Sequence, residues 1–202
     1  MHIKPKFIHS EEFTGEVAIT DYCLCFDEGG PLCHLNIYWG GIVHFCKTLD
    51  VAQDHAKQST ARALSSALQD DPEMSFILSS ELEHAALAED TLAKATIFLV
   101  LCGFKEFALK ALYRCLKDAR PLPSRGSYKH IQNTFVERGF WPTRREYFSS
   151  DSYDTIRNNF AHGDWDSMQA NLPGIDLHDE FGEMAGFVLE IQTLMGARGL
   201  SV

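Results

Sequence analysis

Nowhere in this chain does an apolar run approach the roughly 20 residues that a membrane-crossing helix needs. The longest, ATIFLVLCGF from Ala95 to Phe104, is bracketed by Lys94 and Lys105 and marks a core helix rather than a membrane span. The first residues, MHIKPKFIHSEEF, carry charge but neither an apolar h-region nor a small-residue cleavage site. No secretory signal is read there, and a cytoplasmic location with no membrane partner is expected. Also missing are a P-loop, a GxGxxG and a GxSxG, which removes the common nucleotide-cradling and serine-hydrolase signatures. No internal repeat or low-complexity tract occurs. Paired C-x2-C spacings are absent too: Cys23, Cys25, Cys33 and His34, with His44 and Cys46 nearby, follow C-x-C-x7-C-H, which fits no common zinc arrangement. Neither a metal nor any other cofactor is expected. In a cytoplasmic setting the six cysteines read as reduced thiols serving as small hydrophobes.

What is present is ordinary for a globular protein: 202 residues, 45% hydrophobic and 23% charged, enough for one domain with a real core. The net charge of −10 argues against a generic nucleic-acid coat protein, but its distribution is uneven. From Lys105 to Arg157 there are 11 Lys and Arg against 6 acids, a local +5, while the remaining 7 cations and 22 acids leave −15 elsewhere. Two readings follow. Either these are solvated faces of opposite sign, or the basic segment meets a phosphate-bearing partner.

The periodicity predicts an all-α bundle of about five helices. Residues 1 to 31 differ from the rest, since FTGEVAITDYCLCFDEGG alternates apolar residues and closes on Gly-Gly, and a small N-terminal β element is expected there. The helical domain is placed at 32 to 202. Leu35, Tyr38, Trp39, Ile42, Val43, Cys46 and Leu49 form the first stripe, and a weakly amphipathic stretch continues to a break at Asp71 and Pro72. No proline interrupts the chain from there to Pro121, which permits one long helix, capped at Ser79 or Ser80 with Glu83 behind, running to Asp118. It bears two apolar stripes. Leu92, Ala95, Leu99, Cys102, Glu106, Leu109, Tyr113 and Leu116 make the first, and Ile97, Phe98, Leu101, Phe104, Ala108 and Leu112 the second. A helix so apolar must be covered on more than one side, at a bundle centre or a subunit interface, and a two-fold dimer is expected on the premise that a small bundle covers only one face. Glu106 is the anomaly in the first stripe: it either pairs with a cation such as Arg157 or sits at an edge that reaches water.

After the loop ARPLPSRGS comes a short helix in SYKHIQNTFVERGFW, then a helix in SDSYDTIRNNFAHG that stops at Gly163. DWDSMQANLPG reads as a loop, and Phe181, Met184, Phe187, Val188, Ile191 and Leu194 define the last helix. The chemistry gathers in DTIRNNFAHGDW. Asn158 and His162, four apart, share a helix face, and Arg157 projects beside them. An imidazole, with an ordinary pKa of about 6.5, suits general acid or base work at neutral pH. A guanidinium suits a phosphate that gains charge in the transition state, and an amide can orient either. The same trio also makes a serviceable C-terminal helix cap.

RNNFAHG resembles the R-x4-6-H signature of the HEPN superfamily, in which a polar residue, often Asn, follows the Arg and Gly often follows the His. The long helix before it and the helix after it match that family's helical order over about residues 32 to 196. The resemblance implies a HEPN-like bundle and a metal-independent endoribonuclease, often a toxin or defence effector, that directs the 2′-OH of RNA at the adjacent phosphate to leave a 2′,3′-cyclic phosphate. It implies a homodimer that brings two motifs together, with Arg157 holding the scissile phosphate, His162 as acid or base and Asn158 assisting. Other members of the family are catalytically silent nucleotide- or protein-binding modules, so that alternative stands beside the enzyme. In one toxin branch a Tyr two residues after the His receives AMP from a nucleotidyltransferase antitoxin. Here that position is Asp164, which puts that form of control in doubt and leaves a carboxylate that could orient His162.

Overall fold

A computed structural model describes residues 30–70, 75–142, 150–172 and 177–200. Among the described residues six helices follow one another: α1 (Cys33–Asp70), α2 (Ser75–Arg114), α3 (Ser127–Glu137), α4 (Ser150–His162), α5 (Trp165–Asn171) and α6 (Leu177–Ala197). No strand occurs among the described residues, and the β element expected within residues 1 to 31 falls almost wholly outside them. The all-α expectation therefore holds, with one helix more than read from periodicity.

The two long helices form a hairpin, α1 of 38 residues and α2 of 40, each about 60 Å long at 1.5 Å per residue. The weak stretch after Leu49 is simply the second half of α1, because nothing in it removes a backbone donor before Pro72. α2 begins at Ser75, ahead of the serines expected to cap it. Ser79 lies inside the helix and donates its hydroxyl to the Phe76 carbonyl. At the other end, Arg114 is the last helical residue, and shorter-range bonds from Cys115 to Leu112 and from Leu116 to Tyr113 close the turn.

All of the buried residues of the hairpin lie at one end. Leu35, Trp39, Ile42 and Cys46 of α1 face the half of α2 from Thr91 onward, whereas no described side chain between Cys46 and Thr91 is fully buried. Around that half of α2 pack α1, α3, α4, α5 and α6. Trp39 stacks against Phe104 and Phe181, at 4.9 and 5.4 Å between ring centroids, which ties α1, α2 and α6 together. Lys105 is buried on the α3 and α6 side, its Nζ 5.3 Å from the Tyr128 ring and 5.6 Å from that of Phe187.

The second stripe of α2 is core throughout, and so is the first at Ala95, Leu109, Tyr113 and Leu116. One chain therefore covers the second stripe fully and the first only in part, since Leu92 is 49% exposed and Leu99, Cys102 and Glu106 are partly buried. α5 is the element the sequence reading took for a loop. Asp164 caps it, and Met168 and the C-cap residue Leu172 are buried in the core, so burial of an i, i+4 pair outweighs the local loop-like composition.

Candidate functional site

α4 is held by Ile156, which is buried, and Phe160, which is half-buried against the core. Their spacing of four places one apolar face on the bundle. Arg157, Asn158 and His162 are all exposed.

The end of this helix shows what caps it. Gly163 is left-handed at φ 67°, and its N–H donates to the Phe160 carbonyl at 3.2 Å while the Asp164 N–H donates to Asn159 at 2.8 Å. This is the Schellman closure, made by the backbone alone. No side chain of the trio bonds the terminal carbonyls, and neither Asn158 nor His162 bonds another described residue through its side chain. The capping role offered for the trio belongs to Gly163. A Cβ at Gly163 would meet nothing within 4 Å, so Gly163→Ala tests the backbone term alone. It is expected to lower stability by about 1 kcal/mol, read by urea unfolding, because an L-residue is strained in that conformation.

Arg157 reaches α2. Its Nη1 lies 3.5 Å from Glu106 Oε1, and Lys110 Nζ lies 3.7 Å from the other carboxylate oxygen. The partner suggested for Glu106 is therefore one of the two cations it meets, with Lys110 the other. The pair is not buried, however: side-chain exposure is 55% for Arg157 and 41% for Glu106. Glu106 stands where the first stripe drifts to the rim of α2, as Leu92 does at 49% exposure. Exposed pairs at such distances contribute about 0 to 1 kcal/mol, against about 3 to 5 for breaking a buried one. Glu106→Gln should accordingly unfold within about 1 kcal/mol of the unchanged protein.

Asp164 bonds Ser167. Its Oδ1 accepts from the Ser167 N–H at 3.2 Å and its Oδ2 from the Ser167 hydroxyl at 2.7 Å, as the N-cap of α5. These bonds hold its carboxyl below the usual aspartate range. Arg157 and His162 also diverge. Five residues at 100° each place them about 140° apart around α4, Arg157 turned toward α2 and His162 outward.

Of the residues weighed as zinc ligands, Cys46 is buried in the core, and His34 packs edge-on against Phe107 at 5.3 Å. Cys23 and Cys25 lie outside the described residues. Among the described residues no three His, Cys, Asp or Glu side chains cluster as a metal site, and no helix is long and apolar enough to cross a membrane.

The sequence reading missed an aromatic ledge beside Glu106. Phe107 belongs to neither apolar stripe and is 37% exposed, and Tyr38 of α1, equally exposed, stacks on it at 5.1 Å. A large ring outside both stripes, with His34 and Tyr38 four apart on α1, was the available signal. Comparison with protein-family models, with curated proteins and with solved structures finds no match to this chain.

Proposed function

We propose that the chain is a metal-independent endoribonuclease of the HEPN type, acting as a homodimer. Arg157 neutralises the scissile phosphate. His162 takes the proton from the 2′-OH or gives one to the departing 5′ oxygen, and Asn158 orients the phosphate or the imidazole. The products are a 2′,3′-cyclic phosphate and a 5′-hydroxyl. A single observation carries this reading: Arg157, Asn158 and His162 stand exposed on α4 with the capping work already done by Gly163, so these side chains have no structural employment at the helix end.

The divergence of Arg157 from His162 supports the homodimer, since a second motif helix is what would complete each pair. As a toxin or defence effector the protein would be held in check by a partner such as an antitoxin, through contacts other than AMP transfer to a Tyr, because Asp164 occupies that place. One observation favours a second reading, a silent nucleotide- or protein-binding module: Glu106 already partners Arg157. The two part in one experiment. The purified protein is incubated with a mixed RNA pool in EDTA and the product ends are identified. Cyclic phosphate ends formed without metal support the nuclease, and intact RNA supports the silent module.

A further inference from the structure

Charge is divided between the two ends of the long hairpin. Residues 47–94, the arm that runs out from the core along α1 and back along α2, hold four Lys and Arg against nine Asp and Glu. Residues 114–129, at the opposite end of α2, hold five Lys and Arg against one acid. That acid, Asp118, is already balanced, because Arg138 donates to both of its oxygens at 2.8 and 2.7 Å. The same contact, with the Tyr113 hydroxyl 3.2 Å from His130 Nε2, holds the end of α2 against α3. Arg114, Lys117, Arg120, Arg125 and Lys129 are thereby gathered on one corner, all exposed and none paired with a described residue. On the arm, Glu81, Glu83 and Glu89 are exposed and equally without a described partner.

The rise of α2 from Glu81 to Arg114 is about 50 Å at 1.5 Å per residue, against a screening length of about 8 Å at physiological salt. The two patches therefore do not neutralise each other within one chain. Nor does the dipole of α2 account for them, since it acts only within the first and last turns. Glu81, Glu83 and Glu89 lie well past the first turn from Ser75, and Arg120, Arg125 and Lys129 lie beyond the helix altogether. We propose that the basic corner of one copy docks on the acidic arm of the next, so that copies of this chain associate head to tail. A second copy fits each patch because it carries the opposite charge to both. The arm also offers apolar side chains that its own chain leaves open, Val51 at 58% and Leu87 at 47% exposure. Because the two patches differ, the contact leaves a free corner at one end and a free arm at the other, and association continues past two copies. Exposed ion pairs are individually weak, so the contact dissolves as salt is raised. This assembly goes beyond the nuclease reading and does not depend on it.

The test follows the full chain, freed of nucleic acid, by analytical ultracentrifugation at rising concentration. In about 0.02 M salt the weight-average mass should climb past that of two copies, and in about 0.5 M salt it should fall at least about twofold. A corner variant with Lys117→Glu, Arg120→Glu and Arg125→Glu should stay at or below two copies in low salt. An arm variant with Glu81→Lys, Glu83→Lys and Glu89→Lys should do the same. Both should melt near the unaltered protein, since all six side chains are exposed. When the two are mixed, the intact corner of the arm variant meets the intact arm of the corner variant, and the mass should rise above that of either alone. Reversing three charges moves the net charge from −10 by −6 or +6, to −16 and −4, so general attraction between the variants does not produce that rise. A mass that stops at one or two copies in low salt overturns the proposal. So does either variant assembling like the unaltered protein, or a mixture no heavier than its components. If the corner variant assembles as before but loses affinity for an RNA oligonucleotide, the corner is a nucleic-acid surface and head-to-tail docking is wrong.

Discussion

His162→Ala is expected to slow RNA cleavage by roughly 10²- to 10⁴-fold, the usual worth of a positioned general acid or base. The protein should remain folded. His162 is exposed at the end of α4, its ring bonds no other described residue, and the turn that terminates the helix is closed by the backbone of Gly163 and Asp164. A surface substitution away from any cap or core commonly stays within about 0.5 kcal/mol. Loss of cleavage at unchanged stability therefore separates chemistry from architecture. The measurement is the initial rate on a mixed RNA pool in EDTA, with end-group analysis and a parallel urea melt. Activity that survives the substitution, or that vanishes with EDTA in the unaltered protein, refutes the proposed mechanism.

The parts of this molecule that could be read in advance are those that short-range rules govern. Leu35, Trp39, Ile42 and Cys46 on α1, and Phe181, Met184, Phe187, Val188 and Ile191 on α6, repeat at three and four residues and are buried as that spacing implies. Gly163 ends α4 because only glycine enters the left-handed region cheaply, a fact visible in the letter itself. What escaped depended on partners distant in the chain. α5 has the composition of a loop, and it is a helix because Met168 and the C-cap residue Leu172 find the core to bury in. Whether Glu106 is buried depends on how the stripe drifts around α2 and on which helix lies beside it, and periodicity states neither. Its link to Arg157, 51 residues away, was suggested only by a carboxylate standing among apolar neighbours.

Arg157→Ala is the second large effect, because it removes the cation that would meet the charge developing on the phosphate. A loss of roughly 10²- to 10³-fold is expected, comparable to deleting one preorganised transition-state donor. Folding should change little, since the Glu106 pair is exposed. The substitution becomes more informative when combined with His162→Ala. In one chain these residues point about 140° apart around α4, so the proposed site takes its arginine from one subunit and its histidine from the other. Two inactive variants, Arg157→Ala and His162→Ala, are then mixed under conditions that exchange subunits. Random exchange makes half of the dimers mixed, and in each of these one of the two sites regains both groups, so activity should return to about one quarter of the unaltered rate. If both groups act within one subunit, every site in every dimer lacks one of them and mixing restores nothing. Recovery on mixing, with neither variant active alone, establishes the shared site; persistent silence despite demonstrated exchange, with the unaltered protein active, places both groups in one chain and removes the catalytic reason for a dimer.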